Sequence, residues 1–136
     1  MANYKVEDVE GIGPSYGEKL REAGITDTDT LLQHTKTKKQ RTELAEKTGI
    51  ADGHILNWAN MVDLYRITGV GSEFAELLEA AGVDTVPELA QRNAANLAAK
   101  MAEVNEEKKL TRRVPTEADC EKWVAEAKTL DRMIEH

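Results

Sequence analysis

The 136-residue sequence has one cysteine, three prolines, six aromatic residues and no long apolar run. The single Cys120 cannot form an intrachain disulfide, which is typical of a protein in a reducing compartment. No apolar stretch approaches the ~20 residues that a membrane-spanning helix requires. Residues 1–9 lack the basic and apolar regions of a secretory signal. We therefore expect a soluble, cytoplasmic protein with no membrane partner.

Residue patterns that indicate catalysis are also missing. The histidines His34, His54 and His136 are scattered, and none forms a metal-ligand spacing with Cys120. There is no G-x-S-x-G sequence and no phosphate-loop lysine motif. The chain is also too short for a base-excising glycosylase, which needs a base pocket and a catalytic carboxylate or lysine in a larger helical domain. The sequence therefore predicts a non-enzymatic protein with no metal, cofactor or small-molecule substrate.

Negative charge predominates, with a formal net charge of −7. Residues 1–66 carry nine basic and eleven acidic side chains, and residues 67–136 carry nine and fourteen. Because non-specific DNA binding depends on Lys and Arg neutralising phosphates, this balance opposes a strong general attraction to nucleic acid. If either half binds an anion, the charge favours the first half.

One stretch of the sequence occurs twice. "GIGPSYGEKLREAGI" at residues 11–25 matches "GVGSEFAELLEAAGV" at residues 69–83, an offset of 58 positions. Farther along, Trp58 matches Trp123 at an offset of 65, which indicates an insertion in the second copy. We predict a single helical domain over residues 1–136, with one repeat at about 3–66 and another at about 57–134. The repeats share the Trp58 helix. One copy alone cannot bury its apolar face, so the second copy completes the core.

Each copy predicts two helices joined by a glycine turn. Trp58, Met61, Val62 and Tyr65 have helical apolar spacing before the second Gly-x-Gly, and Phe74, Leu77, Leu78 and Ala81 have it afterwards. We call residues 11–13 turn one and residues 69–71 turn two. Gly-x-Gly is too short for anything but a tight turn, and glycine permits the positive φ that such a turn demands.

Local signals indicate where the helices begin and end. Ser15 with Glu18 has capping-box spacing, and Thr85 precedes a further helix. Gly24 and Gly82 are placed as C-terminal stops. No run of alternating β-branched residues occurs, so the predicted fold class is all-α.

Both copies resemble the helix-hairpin-helix motif, as in "VEGIGPSYGEKLREAGI" and "ITGVGSEFAELLEAAGV". The order of the whole chain is similar to a bacterial family of small tandem helix-hairpin-helix proteins of unknown function. The matching stretches include "LAEKTGI", "NWANMVDLYRITGVG", "ELLEAAGVDTVPELAQRN" and "RRVP...KWVAEAK". The resemblance implies two helix-hairpin-helix units related by pseudo-symmetry and packed as one compact domain.

The resemblance also implies binding of DNA phosphates without sequence preference, through backbone N–H groups of the turn and the following helix. Carried onto this sequence, the motif gives these residues at turn one: Gly11, Ile12, Gly13, Ser15, Lys19 and Arg21. Two basic segments, "KTKKQR" at residues 36–41 and "KKLTRR" at residues 108–113, could extend a phosphate-binding surface. The first offers Lys36, Lys38, Lys39 and Arg41. Turn two offers a weaker site, formed by Gly69, Val70, Gly71 and Ser72, because Glu73, Glu76 and Glu79 follow it and would repel phosphate.

Other interpretations remain open. The acidic second repeat favours a protein-interaction or scaffolding module that meets a basic protein partner. The basic segments 36–41 and 108–113 can instead be solvated connectors that balance acidic helices. Trp58 and Trp123 are better explained as core residues than as stacking platforms. Exposure of the turn-one backbone beside Lys19, Arg21 and segment 36–41 would favour DNA binding.

Overall fold

The computed structural model of the protein describes residues 3–136, which form eight α-helices and one short 3-10 turn. The 3-10 turn is Val6–Asp8, and the helices are α1 (Gly13–Glu22), α2 (Thr28–Gln33), α3 (Lys38–Thr48), α4 (Asp52–Leu64), α5 (Ser72–Ala80), α6 (Val86–Ala90), α7 (Ala94–Lys108) and α8 (Glu117–Ala127). Within the described residues, β-type pairing is limited to an isolated bridge between Lys5 and Asp27. The all-α prediction is confirmed.

Glycine ends two of the helices where the sequence predicts it. Gly24 and Gly82 follow α1 and α5 with φ of +87° and +96°, values in the left-handed region where a side chain is unfavourable. Thr85 is the N-cap residue of α6, also as predicted, although its side chain makes no capping hydrogen bond. Helix boundaries near glycine are thus legible in the sequence.

The predicted capping box of Ser15 and Glu18 is wrong. Helix α1 begins at Gly13, two residues before Ser15. Its N-cap residue is Ile12, and no side chain caps it. Ser15 therefore lies inside the first helical turn. A true capping box occurs at α3, where Thr37 and Gln40 exchange side-chain and backbone hydrogen bonds.

Helix α4 lies at the centre of the core. Ile55 and every residue from 58 to 64 on this helix are buried, and α4 contacts α2, α3 and α5. Trp58 is 2% exposed, and Trp123 on α8 is 5% exposed. Both tryptophans are core residues, as their helical spacing predicts.

Each half of the chain contains four helices, α1–α4 in the first and α5–α8 in the second. The turn before α1 packs against α4 and the turn before α5 packs against α8: a Cβ on Gly11 would lie 3.5 Å from Nε1 of Trp58, and one on Gly69 would lie 3.7 Å from Nε1 of Trp123. The halves differ most before their last helix, where residues 49–51 link α3 to α4 but residues 109–116 link α7 to α8. The repeat boundaries at about 3–66 and 57–134 stay a prediction.

A buried ion pair joins three parts of the fold. Asp63 on α4 has no exposed side-chain surface, and its Oδ1 lies 2.8 Å from a guanidinium nitrogen of Arg66. Its Oδ2 accepts the backbone N–H of Val86 at the start of α6, and Arg66 donates to the carbonyl of Asp131. Burial raises the pKa of Asp63, an effect that the Val86 N–H and Arg66 partly offset.

The segment after α8 returns to the first half of the chain. The Glu135 N–H donates to the Lys36 carbonyl at 2.7 Å, and the Arg41 guanidinium donates to the Glu135 carbonyl at 2.5 Å. Ile134 is buried between these contacts. Residues 131–136 thus hold the start of α3 against the end of the domain.

Candidate functional site

Turn one places accessible backbone at the start of α1. Gly11 and Gly13 have φ of +91° and +61°; the Gly11 backbone is exposed and Gly13 is half-buried, while the Ile12 side chain between them is buried in the core. The Ile12 N–H donates to the carbonyl of Val9, whereas the N–H groups of Gly11, Gly13 and Ser15 meet no acceptor within residues 3–136. These three N–H groups are available to an external anion.

The basic side chains after turn one differ in their freedom. Lys19 is exposed, with Nζ 5.9 Å from the ring centroid of Tyr16. Arg21 is held by Glu7, whose two carboxylate oxygens accept its Nε–H and a terminal N–H at 2.5 and 2.7 Å. This side-chain hydrogen bonding, with a smaller contribution from charge, lowers the pKa of Glu7 to about 2. Lys19 is therefore the basic residue of α1 that can meet an anion without breaking an ion pair.

The contacts of segment 36–41 lead to the C-terminal segment. Arg41 is 5% exposed and donates to the carbonyls of Thr35, Lys36 and Glu135, so it is a structural residue and not a phosphate ligand. Lys38 and Lys39 are exposed at the start of α3. The opposite end of α3 approaches α1, where Lys47 meets the carbonyl of Ala23 at 3.5 Å. None of these contacts is with turn one.

Turn two already holds a carboxylate. Gly69 has φ of +87°, Gly71 is extended, and Val70 between them is buried. One oxygen of Glu126 accepts the Thr68 N–H at 3.0 Å and the other accepts the Thr68 hydroxyl at 3.2 Å. A negative charge of the protein itself thus lies at the residue immediately before turn two.

The two turns adjoin. The Glu10 N–H, immediately before turn one, donates to the Ser72 hydroxyl, immediately after turn two, at 3.2 Å. The Tyr4 hydroxyl lies against Gly71, 3.6 Å from where its Cβ would be. Residues of both turns therefore form one surface, although 58 positions separate them in the sequence.

Two arginines of the basic segment 108–113 lie beside turn two. Arg112 and Arg113 line a groove of about 950 Å³ next to turn two. Arg112 lies 3.3 Å from Glu73, with its own side chain 94% exposed, and Arg113 lies 2.7 Å from Asp119. Segment 108–113 follows α7, whereas segment 36–41 spans the start of α3. The two basic segments are therefore not equivalent, and only the spatial structure shows which one reaches a glycine turn.

Three aromatic side chains cluster next to turn one. Tyr16 on α1 contacts His54 and Trp58 on α4, with ring centroids 5.4 and 5.1 Å apart. The rings of His54 and Trp58 are stacked, with centroids 5.9 Å apart and planes 15° from parallel. Trp58 is buried, Tyr16 is half-buried and His54 is exposed. His54 and Trp58 are four residues apart on α4, a spacing that places them on one face of the helix. The contacts of both with Tyr16 depend instead on how α1 packs on α4.

Carboxylates crowd the outer face of α5. Burial raises the pKa of Glu76, and the adjacent Glu10 raises it further. Burial also raises the pKa of Glu79, with further contributions from Asp84 and Glu76. These side chains form an acidic patch directly beside the adjoining turns.

The described residues contain few groups that could act in catalysis. In residues 3–136, no three His, Cys, Asp or Glu side chains lie close enough together to hold a metal ion. Cys120 is buried, and burial raises the pKa of its thiol to about 11, so the thiolate nucleophile is scarce at neutral pH.

No helix within residues 3–136 is long and apolar enough to span a membrane.

The fold and the site together define a small all-α domain with two adjoining glycine turns. A family model described as "Domain of unknown function (DUF4332)" matches residues 10–130. The chain belongs to this family. Neither the search of curated proteins nor that of solved structures gave a match.

Proposed function

We propose that the protein is a non-enzymatic helix-hairpin-helix module that binds the phosphate backbone of DNA without sequence preference through turn one. The observation that carries the proposal is the set of three N–H groups, on Gly11, Gly13 and Ser15, that meet no acceptor in the described chain. Exposed Lys19 follows on the same helix. N–H groups at a helix start bind phosphate and gain from the helix dipole, and such contacts do not distinguish bases.

Turn two supplies a secondary contact in this proposal. The Glu126 carboxylate at Thr68 repels a phosphate, so turn two is the weaker anion site. Arg112 and Arg113 beside it add positive charge that each shares with a carboxylate. Because the turns adjoin through Ser72, a duplex on turn one lies within reach of these arginines.

The acidic charge of the chain sets the expected strength of binding. With a net charge of −7 and the Glu76 patch nearby, the domain has no broad electropositive surface. Binding is therefore weak, depends on a few phosphate contacts and falls as salt rises.

The test is fluorescence anisotropy of a short labelled duplex, titrated with the protein at low and at moderate salt. Lys19→Gln removes one phosphate contact, so the slope of log K against log salt becomes smaller by about one. Arg21 is left unchanged, because its removal would release the Glu7 carboxylate next to the turn and confound the result.

Lys39→Gln is the matched control, with the same charge change on an exposed lysine of α3. The proposal expects the Lys39→Gln protein to keep the salt slope of the parent. An equal loss in both variants would show that only total charge matters, and would overturn the assignment to turn one. No binding at low salt of either the duplex or the corresponding single strand would overturn DNA binding itself.

A second candidate function is a protein-interaction or scaffolding module. The observation that favours it is the acidic patch. Burial, with a smaller contribution from Glu10, raises the pKa of Glu76, and burial, with smaller contributions from Asp84 and Glu76, raises the pKa of Glu79. A basic partner would relieve this repulsion. The same titration decides between the candidates, since the absence of DNA binding at low salt directs the search to basic protein partners.

A further inference from the structure

We propose that His54 is a stacking platform for an unpaired nucleobase, so that turn one prefers single-stranded to fully paired DNA. This inference rests on the proposed function, because turn one must first bind the phosphate backbone. It adds a second ligand chemistry, the flat face of a base, to the phosphate contact.

The geometry of the aromatic cluster supports this role. His54 is exposed and its ring lies on Trp58, with the planes 15° from parallel. Trp58 is buried and fixed in the core, so the imidazole rests on a rigid base. A nucleobase that stacks on His54 would extend the existing stack outward.

The distance from the phosphate contact also fits. The Gly11 backbone lies against the Trp58 indole, within 3.5 Å of Nε1 if a Cβ is placed on Gly11. Lys19 lies above Tyr16, which in turn contacts His54. Turn one, a free lysine and the exposed ring are thus neighbours, the combination of backbone contact and aromatic face that binds single strands.

The second half of the chain lacks this platform. Phe74 and Trp123 repeat the contact between Tyr16 and Trp58, with ring centroids 5.3 Å apart. The position that matches His54 at the offset of 65 is Asp119, whose carboxylate pairs with Arg113. A charged pair offers no aromatic face, so base stacking is specific to turn one.

The proposal predicts different effects on three ligands measured by anisotropy: a labelled single strand, the corresponding duplex, and a strand of equal length without bases. Since a stacked base contributes about 5- to 150-fold to affinity, His54→Ala weakens single-strand binding by about that factor. Duplex and abasic binding stay unchanged, because both contact only turn one. His54→Phe restores single-strand affinity, since phenylalanine supplies a ring of similar shape.

His34→Ala is the matched control, because His34 is also exposed but lies at the end of α2. It leaves all three affinities unchanged. The proposal is overturned if His54→Ala leaves single-strand binding unchanged, if the duplex loses as much as the single strand, or if His54→Phe does not restore affinity. Duplex binding without a His54 effect would refute stacking alone, whereas no binding of any ligand would refute the proposed function as well.

Discussion

Replacing Arg66 by methionine removes one partner of the buried ion pair that joins α4, α6 and the C-terminal segment. Asp63 then keeps a single partner of those observed, the N–H of Val86. The Asp63 side chain has no exposed surface, so water cannot take the place of the guanidinium without local opening. Methionine fills similar apolar volume, and the substitution therefore tests charge pairing more than packing.

The expected cost follows from the burial of the pair. Leaving one member of a buried ion pair unpartnered destabilises a protein by about 3–5 kcal/mol. This is a large part of the ~5–15 kcal/mol that stabilises an ordinary domain. For a domain of this size, such a loss lowers Tm by roughly 10–20 °C.

The pH dependence gives a second signature. Burial already raises the pKa of Asp63, and loss of Arg66 raises that pKa further. A carboxyl with a raised folded-state pKa is most favourable when protonated, and its contribution is lost as pH rises through that pKa. The Arg66→Met protein is therefore closest to the parent in stability at acidic pH and falls behind as the pH rises.

Urea unfolding followed by the fluorescence of Trp58 and Trp123 measures the effect at several pH values. The double variant Asp63→Asn/Arg66→Met recovers part of the loss, because no charge remains buried. Arg112→Met is the control and costs at most about 1 kcal/mol, since its pair with Glu73 is exposed. A loss below about 1 kcal/mol in Arg66→Met, or no recovery in the double variant, would refute this account of the pair.

Two further predictions concern single side chains. Glu79→Gln raises the free energy of unfolding at neutral pH by at most about 1 kcal/mol. Burial, Asp84 and Glu76 raise the pKa of Glu79, so its ionisation costs stability as pH rises above 4.5. An acid-to-neutral change in unfolding free energy as large in the Glu79→Gln protein as in the parent would contradict this. In the native protein, Cys120 reacts with a thiol reagent only as fast as local unfolding exposes it, because burial raises the pKa of its thiol to about 11. Rapid reaction without denaturant would show that α8 does not protect this thiol.

Much of the fold was predictable because short-range patterns determine it. Apolar spacing around Trp58 indicates α4, and Gly24 and Gly82 mark helix ends through the positive φ that other residues disfavour. Ser15 misled the prediction because its spacing to Glu18 is correct while the helix had already begun at Gly13. Capping-box spacing alone is therefore not sufficient to predict a cap.

The candidate site was predictable only where the chain itself brings residues together. Gly11 and Lys19 are near in sequence, and both lie on one exposed element. Arg41 and Lys39 are also near each other in sequence, yet Arg41 is buried and Lys39 is exposed. Arg41 donates to the carbonyl of Glu135, 94 residues away, a contact that sequence patterns do not indicate. The contact of Tyr16 with His54 and the place of Arg112 beside turn two depend on helix packing, which a single sequence does not contain.

The contacts of residues 131–136 have a consequence for how the domain assembles. They close loops that span 65 residues from Arg66 and 94 residues from Arg41, among the most distant contacts that the chain makes. During synthesis, α1 to α4 leave the ribosome long before this segment does, and until then both guanidinium groups lack one of their acceptors. Docking of residues 131–136 therefore cannot begin before they have been translated, and the two guanidinium groups gain these acceptors only then.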